Sequence, residues 1–482
     1  MNTKLLLSAA HSSRSLISAL GHPRAVIFTT TAAVAILLLA VVLPVRTGAT
    51  PPPSFTTTPL LLPNGSSEPE ISIGNDGTMA MVSLQWLGAF GTDLWTGPFG
   101  SPPIFQGIVD GALQHAGKSV FGGEDADVDI GSTGQLHIST LIALVNPPFR
   151  RAQIGVSAIT CPSPAVSTFS ISQCTAQIID TTTTDRPWVT SDGPHVYISY
   201  HDSANASLIH VQRSADDGFT WKRVGDPIVG QAGITADATF NNIQGNLVAD
   251  PHTHNVYDIY AAGETGVLKG RTFTPNHIIV SRSNDMGRTW TANVAFTAAP
   301  GTSLADVFPA LAVDPVNGNL YAVWSDGGTV SFASSTDQGS HWTSAVAVNS
   351  TPATTALLPW VAAYNGSVDV VYYGTSAASN LDPTAGWHVY FARFNGGSFT
   401  QTPVNVASNH HGVICTGGTG CGPGTRNLLD LFKVGIDPQN AKAAIIYVDD
   451  TLTTSGDPNN FACSPNQMPP CPLPQAVLAQ QN

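Results

Sequence analysis

The stretch Ser214–Trp221, SADDGFTW, returns as SNDMGRTW at Ser283–Trp290 and as STDQGSHW at Ser335–Trp342. Ser, Asp, Gly and Trp hold their places in all three copies, and four fixed residue types at fixed spacing do not recur by chance. Each type has a task in a tight turn. The carboxylates of Asp216, Asp285 and Asp337 can accept backbone N–H groups across it, and Gly218, Gly287 and Gly339 can take a positive φ that a Cβ would oppose. Trp221, Trp290 and Trp342 then lead into a strand with a large apolar surface to bury. Strand-like runs precede the copies at 206–213, 277–282 and 329–333, so each octapeptide is expected to join two antiparallel strands.

Working outward, a looser repeat surrounds the octapeptides: an apolar strand, a turn rich in Asp, Asn, Gly and Pro, then a second strand ending in an aromatic. Its copies run from Glu68, Asp125, Asp185, Gly245, Phe308, Leu358 and Leu429. Seven modules about 60 residues apart predict an all-β propeller of four-stranded antiparallel blades. The module supplies the two inner strands of a blade, and the octapeptide hairpin joins the outer two. Arg393–Phe399 reads as a decayed octapeptide in the sixth module. The seventh has too little sequence after Asp450 for two more strands, so closure is expected to borrow one from the N-terminal side, within Phe55–Leu62. Six blades is the alternative count, if one module is absorbed elsewhere.

The pattern Ser-x-Asp-x-Gly-x-x-Trp resembles the Asp box, or BNR repeat, of sialidases and related β-propellers. As a repeat pattern the resemblance covers most of Glu68–Asp450, and around 185–202 and 415–450 it is nearest to exported proteins described as sialidase-like. It is specific for architecture and much less so for chemistry.

The rest of the composition agrees. Charged residues are scarce at 11%, while Gly (45) and Pro (35) are plentiful, which favours turns and strands over helices. Residues 1–50 differ: Lys4, Arg14 and Arg24 precede an uncharged apolar stretch, 25–43, and no acid occurs before Glu68. This reads as a cleaved export signal or a retained signal anchor, and either sends the rest of the chain out of the cytoplasm. A Pro/Thr-rich linker (51–67), the propeller (68–455) and a Cys- and Pro-containing tail (456–482) follow. Without residues 1–50, 15 Lys and Arg face 32 Asp and Glu, a net −17 that disfavours nucleic acid and anionic membrane as partners. The membrane enters only through the N-terminal segment, and a monomer is expected.

Six cysteines fall as near neighbours in sequence: Cys161 with Cys174, Cys415 with Cys421, and Cys463 with Cys471. Local disulfides in an oxidising compartment are the reading. A zinc site from Cys415, Cys421, His410 and His411 has the wrong spacing.

Propeller topology sorts the loops onto two faces. The octapeptides and the Asp-Pro turns at Asp250, Asp314 and Asp437 share one, where Asp216, Asp285 and Asp337 are read as structural and His252 and His254 as surface residues. Ligand chemistry is expected on the other. That face collects Tyr200, His201, Asp202, Asp326, Tyr372, Tyr373, Asp449 and Asp450 at strand ends, Glu264, Arg271 and Asp382 in loops, and Glu124, Asp125, Asp127, Arg186, Arg426 and Asp430 at inner-strand starts. Asp202, Asp326 and Asp450 hold equivalent module positions, so capping of their own loops competes with ligand binding. Asp125, Asp127 and Asp129 alternate along one strand and point to one side, an oxygen-rich line that admits Ca²⁺. No cofactor is required.

Resemblance to sialidases implies three arginines on a ligand carboxylate, a Tyr nucleophile activated by Glu, and an Asp acid/base. The Phe/Tyr-Arg-Ile-Pro motif that carries the first arginine is absent; Phe149-Arg150-Arg151-Ala152 is a poor substitute. The chain has only four Glu: Glu68, Glu70, Glu124 and Glu264. The catalytic assignment that follows is Tyr373, Glu264 and Asp127, with Tyr200 and Glu124 as alternates. Arg186, Arg271, Arg426, Asp202 and Asp326 would bind substrate. Three functions compete: a sialidase-like glycoside hydrolase, acting on sialosides or on neutral glycans; a non-catalytic propeller binding glycan or protein at the cell surface; and an assembly platform.

Overall fold

The computed structural model describes residues 52–482 except 86–90, 112, 114–119, 145–152, 183, 203–207, 229–241, 264–273, 305, 423 and 454–472. Seven antiparallel sheets form the blades of a propeller. From the innermost strand outward, the first blade is Ser67–Ile73, Thr78–Leu84, Thr92–Pro98 and Ile104–Ile108, and the second is Val120–Ile130, Leu136–Leu144, Gln153–Cys161 and Thr175–Asp180. The third is Thr184–Asp192, His195–Asp202, Leu208–Ser214 and Lys222–Gly225, and the fourth is Asn242–Ala249, Val256–Ala262, His277–Ser283 and Thr291–Thr297. The fifth is Ala310–Val313, Leu320–Ser325, Val330–Ser335 and Val346–Ala347, and the sixth is Thr355–Tyr364, Ser367–Thr375, Gly386–Phe394 and Phe399–Pro403.

The seventh blade is composite. Lys433–Ile436 and Ala443–Asp449 continue into Gln475–Gln481, and Phe55–Leu60 from the start of the chain forms its outer strand. The register runs from Phe55 opposite Gln481 to Leu60 opposite Ala476. Closure by a borrowed N-terminal strand is therefore observed. The expected C-terminal tail is corrected, because 475–481 is a central blade strand, buried almost throughout. Its alternation Ala476, Leu478 on one side and Val477, Ala479 on the other suits a strand covered on both faces. Among the described residues no helix is long and apolar enough to cross a membrane; residues 1–50, the expected signal or anchor, lie outside the described residues.

Each octapeptide sits between the third and fourth strands of its blade. Ser214 Oγ accepts the Gly218 amide at 2.8 Å and donates to Asp216 at 2.7 Å, while Asp216 also accepts the Thr220 amide at 2.8 Å. Trp221 Nε1 closes the turn on the Gly218 carbonyl at 2.9 Å. The same four bonds recur in the other two copies. Gly218 has φ 86°, and a Cβ there would lie 2.2 Å from Thr160 Oγ1 of the second blade. Glycine thus serves both the turn and the close approach of neighbouring blades. The second blade has a Cys161–Cys174 disulfide where blades three to five have an octapeptide. In the sixth, the Arg393 fork grips the buried Asp369, both contacts at 2.7 Å.

Candidate functional site at the channel mouth

The inner strand of each blade borders a central channel, and its upper end, away from the octapeptides, is irregular in the same way from blade to blade. Bulges interrupt pairing between Ser67 and Glu70, around Glu124, between Asp185 and Trp188, between Gln244 and Leu247, and between Leu357 and Trp360. Glu68 (φ 45°), Asp125 (φ 29°), Arg186 (φ 53°), Val307 (φ 76°), Leu358 (φ 55°) and Leu429 (φ 54°) have left-handed backbone conformations at or beside this level. Each costs a non-glycine residue roughly 1 kcal/mol or more. The bulges turn the side chains that follow toward the channel.

Counted back from the turn that ends each inner strand, the seven blades present Glu70, Asp127, Trp188, Asn246, Ala310, Trp360 and Lys433 at equivalent positions. Lys433 draws four of the others together. Its Nζ lies 2.8 Å from Glu70, against Asp127, 4.7 Å from the Trp360 ring and 6.0 Å from that of Trp188. Burial pushes Glu70 up to about 8, beyond what the Lys433 charge can offset. Burial alone would lower Lys433, but Asp127 and Glu70 hold its ammonium charged. Near neutrality Lys433 is held charged against Asp127, and Glu70 carries its proton.

Above this level lies a second acidic group. The carboxyls of Glu68 and Asp125 are neighbours, and the ionisation of each bears on the other. Burial, then the nearby Asp430, pushes Glu68 up to about 7; burial, then Glu68 and Asp185, pushes Asp125 well above the usual carboxylate range. Glu68 also accepts the Asp430 amide at 3.1 Å, and Asp125 accepts the Arg186 amide at 3.2 Å. The half-exposed carboxylate of Asp185 stands 3.4 Å from the Arg186 guanidinium, which stacks over Phe308 at 4.9 Å. Arg426 forks onto Asp430. A carboxyl that keeps its proton near neutral pH beside a second carboxyl offers a donor and an acceptor at one place.

The rim between the sixth and seventh blades is a disulfide-pinned loop. Cys415 bonds Cys421, Ile414 and Asn380 exchange hydrogen bonds, and the Thr416 hydroxyl reaches Asp306 at the entry to the fifth blade. His410 Nδ1 lies 2.8 Å from Asp450, with the cysteines joined as disulfide. Among the described residues no group of three or more His, Cys, Asp or Glu side chains is arranged to hold a metal ion. Cys463 and Cys471 lie outside the described residues.

Arg186, Arg426 and Asp127 do converge here, with Glu68, Glu70, Trp188, Trp360 and Lys433, which sequence reasoning did not assign to the site. Glu264 and Arg271 fall outside the described residues. The nucleophile role expected of Tyr373 is corrected. It is fully buried between blades, its hydroxyl accepts the Val448 amide at 3.0 Å, its ring packs 4.2 Å from Phe432, and its pKa is pushed up by burial. Tyr200 is likewise buried, with its hydroxyl on Asp180. Asp127 accepts the Val189 amide at 2.9 Å and faces Lys433; the substrate-acid role expected of it is replaced by an ion pair. Asp129 accepts the Ser191 hydroxyl at 2.6 Å, so Asp125, Asp127 and Asp129 do point one way, onto the inner strand of the third blade. Asp326 caps its own turn through the Gly328 and Thr329 amides, and Asp202 pairs with His210 at 2.9 Å. For Asp326 the loop-capping alternative describes what the side chain does; Asp202 instead holds a histidine of the neighbouring strand.

Lys433 was legible as a partner only through the repeat. Aligning the modules by their turns places it in line with Glu70 and Asp127, one lysine among acids and tryptophans.

No protein-family model matches the chain, and no curated protein matches it. Solved propellers do resemble it in fold. A protein of unknown function from Dyadobacter fermentans is 11% identical with a TM-score of 0.47, covering 90% of this chain and 100% of that one. A polysaccharide lyase, an ulvan lyase of family PL25, is 12% identical with a TM-score of 0.49, covering 81% and 93%. The Aleuria aurantia lectin, in complex with α-methyl-L-fucoside, is 11% identical with a TM-score of 0.43, covering 73% and 98%. Sialidases, including that of Trypanosoma rangeli, are also among the similar structures. Likeness at this level bears on neither ligand nor chemistry.

Proposed function

We propose that this chain is an exported propeller that recognises glycans, with little affinity for sialic acid, at the channel mouth. The observation that carries the reading is the pair of neighbouring carboxyls Glu68 and Asp125, biased by burial toward their protonated forms, beside the solvent-touched Asp185, Arg186, Arg426 and Asp430. Sugar hydroxyls take both a donor and an acceptor, and the couple supplies both from one place. Arg186 and Arg426 already face carboxylates of their own chain, so a ligand carboxylate would have to displace Asp185 and Asp430. That argues against a sialoside. The disulfides support an oxidising compartment outside the cytoplasm.

A second reading, hydrolysis of a neutral glycan, is favoured by the same pair. An acid that retains its proton near pH 7 beside a second carboxyl is the pairing general acid–base cleavage needs. One experiment separates the readings. The full chain and its Asp125→Asn variant are screened for binding on an array of neutral, amino and sialylated glycans, then incubated with fluorogenic glycosides of each bound sugar. Binding without release, lost in Asp125→Asn, supports recognition; release lost in Asp125→Asn supports hydrolysis. Preferred binding or cleavage of sialosides would overturn the proposal.

A further inference from the structure

The octapeptide face, expected to carry structure alone, opens into the other end of the channel as a funnel of ≈ 480 Å³. Each of the seven blades contributes to its wall from the last residues of the inner strand and the turn beyond. The wall is mixed: the side chains of Ile73, Ile130, Val316 and Ile436 stand among polar groups such as Asn75 and Ser132, with Tyr364 on one side. Pro251, Pro315 and Pro438 stiffen the rim; each follows an Asp that caps its turn by accepting the amide two residues on.

The charge in the wall has one sign. Among the described residues, Asp129 and Asp192 line the funnel and no Lys, Arg or His does. Two basic groups stand near without entering it. His254 pairs with Asp192 at 2.7 Å and is largely exposed to solvent, and Lys433 is held at the level above by Asp127 and Glu70. Asp129 is anchored by Ser191 and is therefore fixed in position. The volume suits a small molecule rather than a polymer chain. Branched apolar side chains beside a fixed acid, with no cation in the wall, favour a positive head on an apolar body and disfavour an anion.

We propose that this funnel is a second binding site, for an organic ammonium ion with an apolar body, its nitrogen directed at Asp129. The site is separated from the channel mouth by the Lys433 cluster and does not depend on what the mouth binds.

The test is calorimetric titration of the full chain with 4-phenylbutylamine, 4-phenylbutanol and 4-phenylbutyrate, which share a body and differ in head group. The amine is expected to bind about tenfold or more tighter than the alcohol, and the acid more weakly still. Asp129→Asn should remove the preference while keeping alcohol binding. Val316→Lys, at a rim position that is 45% exposed and therefore tolerant, should weaken the amine and strengthen the acid. Equal binding of amine and alcohol, binding of the amine unmoved by Val316→Lys, or no binding of any probe would each overturn the proposal.

Discussion

Lys433, on the innermost strand of the seventh blade, places its ammonium 2.8 Å from the carboxyl of Glu70 on the innermost strand of the first. The contact spans the junction at which the ring closes, and Asp127 of the second blade completes it. Removing the cation would leave two acids buried at that junction. Lys433→Met is expected to lower the unfolding free energy by about 3–5 kcal/mol, measured by urea denaturation. Lys433→Met combined with Asp127→Asn should recover part of that loss, because no unpaired charge then remains. Equal losses in the single and double variants would argue against the ion pair.

Stability is expected to fall as pH rises from about 6.5 to 8. Burial pushes Glu68 and Asp93 up to about 7 and Glu70 up to about 8. A carboxyl whose folded pKa exceeds its unfolded value binds its proton more tightly in the native state. Its stabilising effect is full below the unfolded value near 4 and is lost as pH climbs through the folded one. His137 and His201, both lowered to about 4, act the other way, but only between about 4 and 6.5. Above that range the carboxyls are left alone. Thermal midpoints measured from pH 6.5 to 8 should decline, and Glu70→Gln should flatten the decline.

Glycan affinity should follow the protonation of Glu68 and its neighbour Asp125. Binding is expected to be strongest below about pH 7 and to weaken above it, as the pair loses its donor. Glu68→Gln should remove the pH dependence, and Asp125→Asn should reduce affinity by about tenfold or more. A pH profile identical in wild type and Glu68→Gln would show that the pair does not contact the ligand.

Two glycines separate backbone strain from steric approach. Gly218 and Gly301 have φ 86° and φ 90°, but a Cβ would meet Thr160 Oγ1 at 2.2 Å in the first and nothing within 4 Å in the second. Gly301→Ala should cost about 1 kcal/mol, the conformational part alone. Gly218→Ala should cost at least about 2 kcal/mol more, read from chemical denaturation.

The octapeptides and the seven modules made blade number, strand order and even the borrowed closing strand legible, because turn chemistry and alternation act over a few residues. The strand Gln475–Gln481 was missed. It lies beyond a Cys- and Pro-containing stretch, and QAVLAQQ has little of the β-branched composition that marks a strand. Its partners are Ala443–Asp449 and Phe55–Leu60, the latter more than 400 residues away in sequence. The site was harder to read for the same reason. Tyr373 looks like a nucleophile beside acids until the Val448 amide of the next blade is seen to occupy its hydroxyl. Glu68, Asp125 and Lys433 look like unrelated surface charges until the ring brings three blades together.

The composite seventh blade has a consequence for the order in which the protein is made. Synthesis delivers the Phe55–Leu60 strand more than 400 residues before its partner, Gln475–Gln481. Until then the early strand has no neighbour, the Lys433 junction has no finished sheet behind it, and the ring stands open at one place. A product cut short anywhere in the last blade cannot latch, and presents both an orphaned strand and a bare sheet edge to proteases. A closed ring thus certifies that the chain was made through its seventh blade.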